Sequence, residues 1–175
     1  MPRTIRKTLI IGAAALLPAA AIGVAASAST AAAATPAASS FPAHYAAPYL
    51  QISSSDAKDM AADMSASGDK YYTLAFLTPK SGCTPEWEDG GDSVGAFSSQ
   101  ISSLQSAGGN VIISFGGAEG GELAQTCTSV SSLEAAYAKV VSTYHVTRLD
   151  FDIEGSVLDN KTANSRRDQA LAALQ

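Results

Sequence analysis

The stretch Arg148-Leu149-Asp150-Phe151-Asp152-Ile153-Glu154-Gly155 decides how this chain folds. Along a β-strand successive side chains point to opposite faces. Asp150, Asp152 and Glu154 therefore share one face, and Leu149, Phe151 and Ile153 share the other. The apolar set suits burial under helices. The carboxylates then climb the opposite face in steps of about 6.5 Å, twice the per-residue rise. Three carboxylates crowded on one inner face repel each other and resist desolvation, which predicts that some hold protons near neutral pH. A proton-holding carboxyl at a strand end is what glycoside cleavage requires of its general acid. Most Asp-x-Asp patterns are solvated loops, but the flanking Leu, Phe and Ile argue against a loop. Carboxylates also suit Ca²⁺ or Mg²⁺. This stretch offers only oxygen ligands from one strand face, with no His close by, so the glycosidase reading stands ahead of a metal site. No cofactor and no metal are expected.

Working outward, a strand-then-helix pattern occurs four times. Tyr45 to Ile52 reads as a strand and Ser55 to Ser65 as its helix, capped by Ser54 or Ser55 and ended by Gly68. Tyr71 to Leu77 is the second strand. An acidic, Pro- and Gly-rich loop, Thr78 to Asp92, separates it from a helix over Gly95 to Ser106. The third strand is Val111 to Phe115. A loop from Gly116 to Thr128 leads to a helix over Ser131 to Tyr144, with Leu133, Ala136, Tyr137, Val140 and Val141 on one face. Arg148 to Ile153 is the fourth strand, and a last helix covers Ser165 to Leu174. Strands alternating with helices indicate an α/β protein with a parallel sheet. The long polar segments follow strands, and the return connections are short. Both a (β/α) barrel and an open α/β sheet satisfy that asymmetry.

The chain starts with a basic segment, MPRTIRK, followed by the uncharged run Leu9 to Ala26 and small-residue sites such as Ala32-Ala33-Ala34. This reads as a secretory signal over residues 1–34. Gly12, Pro18 and Gly23 make the run a weak membrane anchor. A flexible lead-in is expected over residues 35–43, and one globular domain over 44–175. In a secreted, extracellular protein, Cys83 and Cys127 are expected to form a disulfide, since they sit in the loops after neighbouring strands. Hydrophobic residues make up 46% of the chain and charged residues 15%, which excludes a disordered chain. The net charge is −5, and Arg3, Arg6 and Lys7 are the only charges before Asp56, so the remainder is more acidic still. Such a surface is unsuited to nucleic acid or to an anionic membrane once the signal is cleaved. Neutral polysaccharides remain as partners.

Two spaced motifs give this sequence a family likeness. LDFDIEG resembles the Asp-x-x-Asp-x-Asp-x-Glu signature that ends the fourth barrel strand of glycoside hydrolase family 18, the chitinases and their relatives. Ser114-Phe115-Gly116-Gly117 resembles the Ser-x-Gly-Gly signature that ends the third. YYTLAFLTP and VIISFGGAEGGELAQTCTS are similar to segments of secreted actinobacterial chitinases. The resemblance implies a TIM-barrel, (β/α)8, scaffold and a chitin or N-acetylglucosamine oligosaccharide substrate. It implies that Glu154 is the general acid, that Asp152 steadies the substrate's N-acetyl group, and that Asp150 tunes Asp152. Ser114, Gly116 and Gly117 would shape the floor beside the acids. Gly116-Gly117 also reads as a tight strand-to-loop turn. The first Asp of the signature falls at Thr147, a departure furthest from the chemistry. Trp87 is a candidate sugar-stacking platform, with packing under its own loop as the alternative. Tyr49 and Phe76 are read as pointing into or flanking the barrel, with core packing the favoured role. His44 and His145 show no ligand or triad spacing, and Ser114 lacks a His–Asp set for a serine hydrolase.

An eight-unit barrel takes about 250 residues, and four βα units are visible here. The chain reads as the N-terminal half of such a domain. Two functions are compatible with it: a secreted chitinase or its N-terminal part, and a non-catalytic chitin- or glycan-binding lectin on the same scaffold. The presence of Glu154 favours the enzyme.

Overall fold

The computed structural model describes residues 40–119 and 121–175. The signal expected over residues 1–34 lies outside them. The elements are β1 (Tyr49–Gln51), α1 (Asp56–Ser67), β2 (Tyr71–Ser81), β3 (Thr84–Trp87), α2 (Ser98–Ser106), β4 (Asn110–Gly116), α3 (Leu123–Thr126), α4 (Val130–Tyr144), β5 (Leu149–Asp152) and α5 (Lys161–Leu174). The strands β1, β2, β4 and β5 pair side by side in chain order, all parallel. Doubly wound sheets reverse strand order at a switch point. An unreversed order is that of strands following one another around a (β/α) barrel, and β1 and β5 are the edges of this described sheet.

The register sets which side chains share a face. Leu50 pairs with Leu74 and Leu74 with Ile113, while Ile113 pairs with Leu149 and Phe115 with Phe151. That apolar set meets the helices, where Leu133, Tyr137 and Val140 of α4 and Ile101 and Leu104 of α2 are buried. Tyr49 with Thr73, Ser114 with Asp150 and Gly116 with Asp152 form the other face. Full burial of one such aliphatic side chain contributes about 1.5–3 kcal/mol, so the apolar face fixes which way the acids point.

Several boundaries differ from those the sequence suggests. The first strand shortens to β1, and α1 is not capped by Ser54 or Ser55. The Ser53 hydroxyl accepts from the Ser55 and Asp56 amides at 3.3 and 3.4 Å instead. The last helix starts at Lys161, because Asn160 Oδ1 accepts the Ala163 amide at 3.0 Å and caps it there. Its early turns lack large apolar residues, so periodicity reveals only its end. Phe41 packs on Tyr45 and Tyr71 at 5.0 and 5.1 Å, with the Arg148 guanidinium 4.6 Å above its ring.

The largest departure is in the segment after β2. It is no open loop: β2 runs on to Ser81 and β3 folds back antiparallel, pairing Leu77 with Trp87. Pro85 is tolerated because β3 lies off the main path of the sheet, on its periphery. This hairpin drives Trp87 into the core, where it is 0% exposed. Its indole N–H donates to the Tyr144 hydroxyl at 2.9 Å, and its ring lies 5.7 Å from Phe97. Trp87 is therefore a core anchor and not a sugar platform. Burial pushes the Tyr144 phenol up to about 12.

Cys83 and Cys127, 44 positions apart in sequence, form a disulfide with Cα atoms 4.6 Å apart. It ties the hairpin turn to the end of α3, where the Thr126 hydroxyl also donates to the Gly82 carbonyl at 2.5 Å. A loop of that length predicts a loss of about 4 kcal/mol on reduction in the chain-entropy picture. Scanning calorimetry with and without reductant is expected to show a fall on the order of 10 °C in Tm.

Candidate active site

Glycine decides the geometry where β4 meets β5. Gly116 pairs with Asp152 and has φ +104°, and a Cβ there would fall onto the Asp152 carbonyl oxygen. Gly117 has φ +86°, and its Cβ would sit 2.8 Å from the Phe76 ring. Both positions need the missing side chain as well as the left-handed backbone. The close approach lets the Gly117 amide donate to the Asp152 carbonyl at 2.9 Å. The end of β4 is thereby fastened to the acid-bearing strand.

The acids lie as the alternation requires. Behind β5 the side chains are half-buried: Phe151 stacks on Phe115 at 5.4 Å, and the Tyr137 ring meets both edge-on, at 5.3 and 5.0 Å respectively. In front, Asp150 Oδ2 accepts from the Ser114 hydroxyl at 2.6 Å and from the Tyr49 hydroxyl at 2.9 Å. Two donors on one carboxylate oxygen stabilise its charge and fix its rotamer. Asp150 and Asp152 are half-buried and Glu154 is exposed. Glu154 keeps extended backbone, φ −124° and ψ 163°, so it continues the same alternation just beyond the strand. Gly155, at φ +58°, then turns the chain into a short 3-10 segment.

Tyr49 flanks the acid-bearing face, and the core packing favoured from sequence does not hold for it. It is 59% exposed and is not core. Its bond to Asp150 raises its phenol pKa, helped by burial and by the charges of Asp150 and Asp152. Only the register across β1, β2, β4 and β5 brings residues 101 positions apart together, and local pattern carries no such signal. Phe76 flanks the site, 6.1 Å from the Tyr49 ring and against Gly117. Thr147, where the family signature has its first Asp, is exposed before β5 begins. Glu88 is an additional acid just past β3, beside the middle of β2. Its amide donates to the Phe76 carbonyl at 3.0 Å, and burial, then the charges of Glu119 and Asp89, push its carboxyl up. Among the described residues no group of three His, Cys, Asp or Glu side chains is placed to hold a metal ion. No described helix is long and apolar enough to cross a membrane.

No protein-family model matches the chain. Individual relatives do. A probable bifunctional chitinase/lysozyme of Escherichia coli is 34% identical over 138 residues, covering 75% of this chain and 15% of that protein. Endochitinase 11 of Metarhizium anisopliae is 33% identical over 132 residues, covering 75% of this chain and 25% of the other. The crystal structure of the catalytic domain of a Pyrococcus furiosus chitinase superposes with a TM-score of 0.69 at 37% identity, over 80% of this chain and 45% of that one. Catalytic-site mutants of a thermostable chitinase from the same organism, complexed with chito-oligosaccharides, superpose at 0.67 with 34% identity. The chain thus spans less than half of each relative. Sequence and fold agree that this chain is similar to part of these chitinases, and in the Pyrococcus furiosus protein to part of the catalytic domain.

Proposed function

We propose that this chain carries the acid-bearing part of a secreted chitinase that hydrolyses β-1,4 bonds between N-acetylglucosamine units. The observation that carries the reading is Asp150, held by Ser114 and Tyr49, in one alternating row with Asp152 and Glu154 at the strand end. Homology to chitinases supplies the substrate class. Glu154, exposed at the rim, donates its proton to the leaving glycosidic oxygen. The substrate's own acetamido oxygen attacks the anomeric carbon, and the bond to the leaving oxygen breaks. The positive charge that forms on the resulting oxazolinium ring is steadied by Asp152. Water then opens the ring from the same face as the departed sugar, with Glu154 taking its proton back. Two displacements at one carbon retain the configuration. A sugar acetamide replaces the second carboxylate as nucleophile, so the usual rule on carboxylate separation does not apply. Asp150, on the same face as Asp152, is kept in place by its two donors.

Residues 1–34 act in this proposal as a cleaved export signal, which accords with the disulfide. The reading is tested by incubating the protein with colloidal chitin, measuring new reducing ends and bound protein together. Chitin binding without reducing ends, in a domain completed as described below, would instead mark a lectin. The chain by itself is a demanding case. β1 and β5 leave both sheet edges unpaired among the described residues, and the acids face water. Positioning supplies much of a catalyst's advantage. Residues 35–175 alone are therefore expected to show little or no turnover of a chitobiose-type substrate; robust turnover by a well-folded monomer would refute that.

A further inference from the structure

Glu122 is a buried acid that the proposed chemistry does not use. It lies between β4 and α3 and is only 2% exposed. The Arg167 guanidinium of α5 approaches its carboxylate at 3.5 Å, with its own side chain 12% exposed. The buried Tyr137 hydroxyl of α4 feels the Glu122 charge; it, both Glu122 carboxylate oxygens and Arg167 Nη1 make no hydrogen bond among the described residues, so the three groups meet as buried charges and dipoles, not through hydrogen bonds. Burial raises the Glu122 carboxyl pKa, against the opposing pulls of the Ala124 amide, Arg167, the Tyr137 hydroxyl and Arg166. Burial and then the Glu122 charge raise the Tyr137 phenol. Arg166 also donates to the Ala124 carbonyl, so α5 is bound to α3 next to this pair.

A buried ion pair is a poor source of stability, since its desolvation penalty offsets most of the attraction. This one joins three elements that each lead to the acids. The segment holding Glu122 starts at Gly117, whose amide is bonded to Asp152. α5 follows Glu154 after one short 3-10 segment. The Tyr137 ring underpins Phe115 and Phe151, whose chain neighbours are Ser114, Gly116, Asp150 and Asp152. We propose that Glu122, Arg167 and Tyr137 form a buried clamp that positions Asp152 and Glu154 from behind the sheet. The catalytic meaning of the clamp rests on the chitinase reading, but the positioning itself is measurable without turnover.

The test is amide hydrogen exchange on the 175-residue chain, read by NMR at two sites. The Gly117 amide reports the bond to Asp152, and the Ile52 amide, bonded to the Ala75 carbonyl at 3.1 Å, reports the far side of the sheet. In Arg167→Met the Gly117 amide is expected to exchange at least tenfold faster, with Ile52 changed less than twofold. The carbon-13 signal of the Asp152 carboxylate should shift in the same variant. Arg167→Lys, which keeps the charge, should restore both. The double variant Glu122→Leu/Arg167→Met removes the buried charges together and keeps the fold, so it carries the test if the single variant does not fold. It is expected to retain fast exchange at Gly117 with an unchanged Tm. Parallel acceleration at Gly117 and Ile52, or full protection at Gly117 in the double variant, would overturn the clamp. A chitin assay that failed would count against the function and leave this result untouched.

Discussion

Glu154→Gln is expected to lower chitin hydrolysis by about 10²- to 10⁴-fold, the usual range for a positioned general acid, with chitin binding preserved. The variant belongs in a completed domain, made by joining this chain to the part of the Pyrococcus furiosus catalytic domain that it does not cover. The amide keeps the volume and the hydrogen-bonding shape of the carboxyl. It lacks the acidic proton that the leaving sugar oxygen must receive, and no other acid continues the β5 alternation beyond Glu154. Asp152→Asn should be severe for a different reason, since it removes the negative charge beside the oxazolinium. The pair separates the two roles. Only Glu154→Gln should be relieved by a substrate whose leaving group needs no protonation, such as a dinitrophenyl glycoside. Near-normal hydrolysis of chitin by Glu154→Gln would remove Glu154 from the mechanism.

Gly116→Ala is expected to cost about 4 kcal/mol or more, in the range reserved for severe core lesions. The added methyl meets the backbone carbonyl of Asp152, which cannot swing aside as a side chain would. Relief requires β5 to move off β4, which breaks the bond from the Gly117 amide to Asp152. Backbone strain at φ +104° adds to the clash. Gly68→Ala is the control. Gly68 also has a left-handed backbone, φ +84°, but nothing lies within 4 Å of its added Cβ. It should lose only about 1–2 kcal/mol, the backbone cost alone. Urea unfolding of both variants measures the difference directly. Equal losses would mean that the Gly116 contact with β5 carries no special weight.

These effects were legible in the sequence to different depths. The row Asp150, Asp152, Glu154 was readable because strand alternation is strict and the intervening residues are apolar. The four parallel strands followed from their apolar runs and short returns. The hairpin β2–β3 was not readable: Thr84–Trp87 is short, contains Pro85 and looks like turn sequence. Without the hairpin, sugar stacking and packing under its own loop both suit Trp87; pairing with Leu77 buries it. Tyr49 reaches Asp150 through the register of four strands, and register is a tertiary property. Glu122 was hidden for a similar reason. Its partner Arg167 lies on a helix whose first turns show no apolar period, and nothing local announces that a charged residue there is buried.

The central claim is that the acids on β5 serve a reaction in which the substrate's acetamide is the nucleophile. It is tested most directly by following hydrolysis of an N-acetylglucosamine tetramer, and of its fully deacetylated counterpart, by proton NMR in the completed domain. The acetylated tetramer alone is expected to be cleaved, with the new reducing end appearing first as the β-anomer. Comparable cleavage of the deacetylated tetramer, or an α-anomer appearing first, would contradict it.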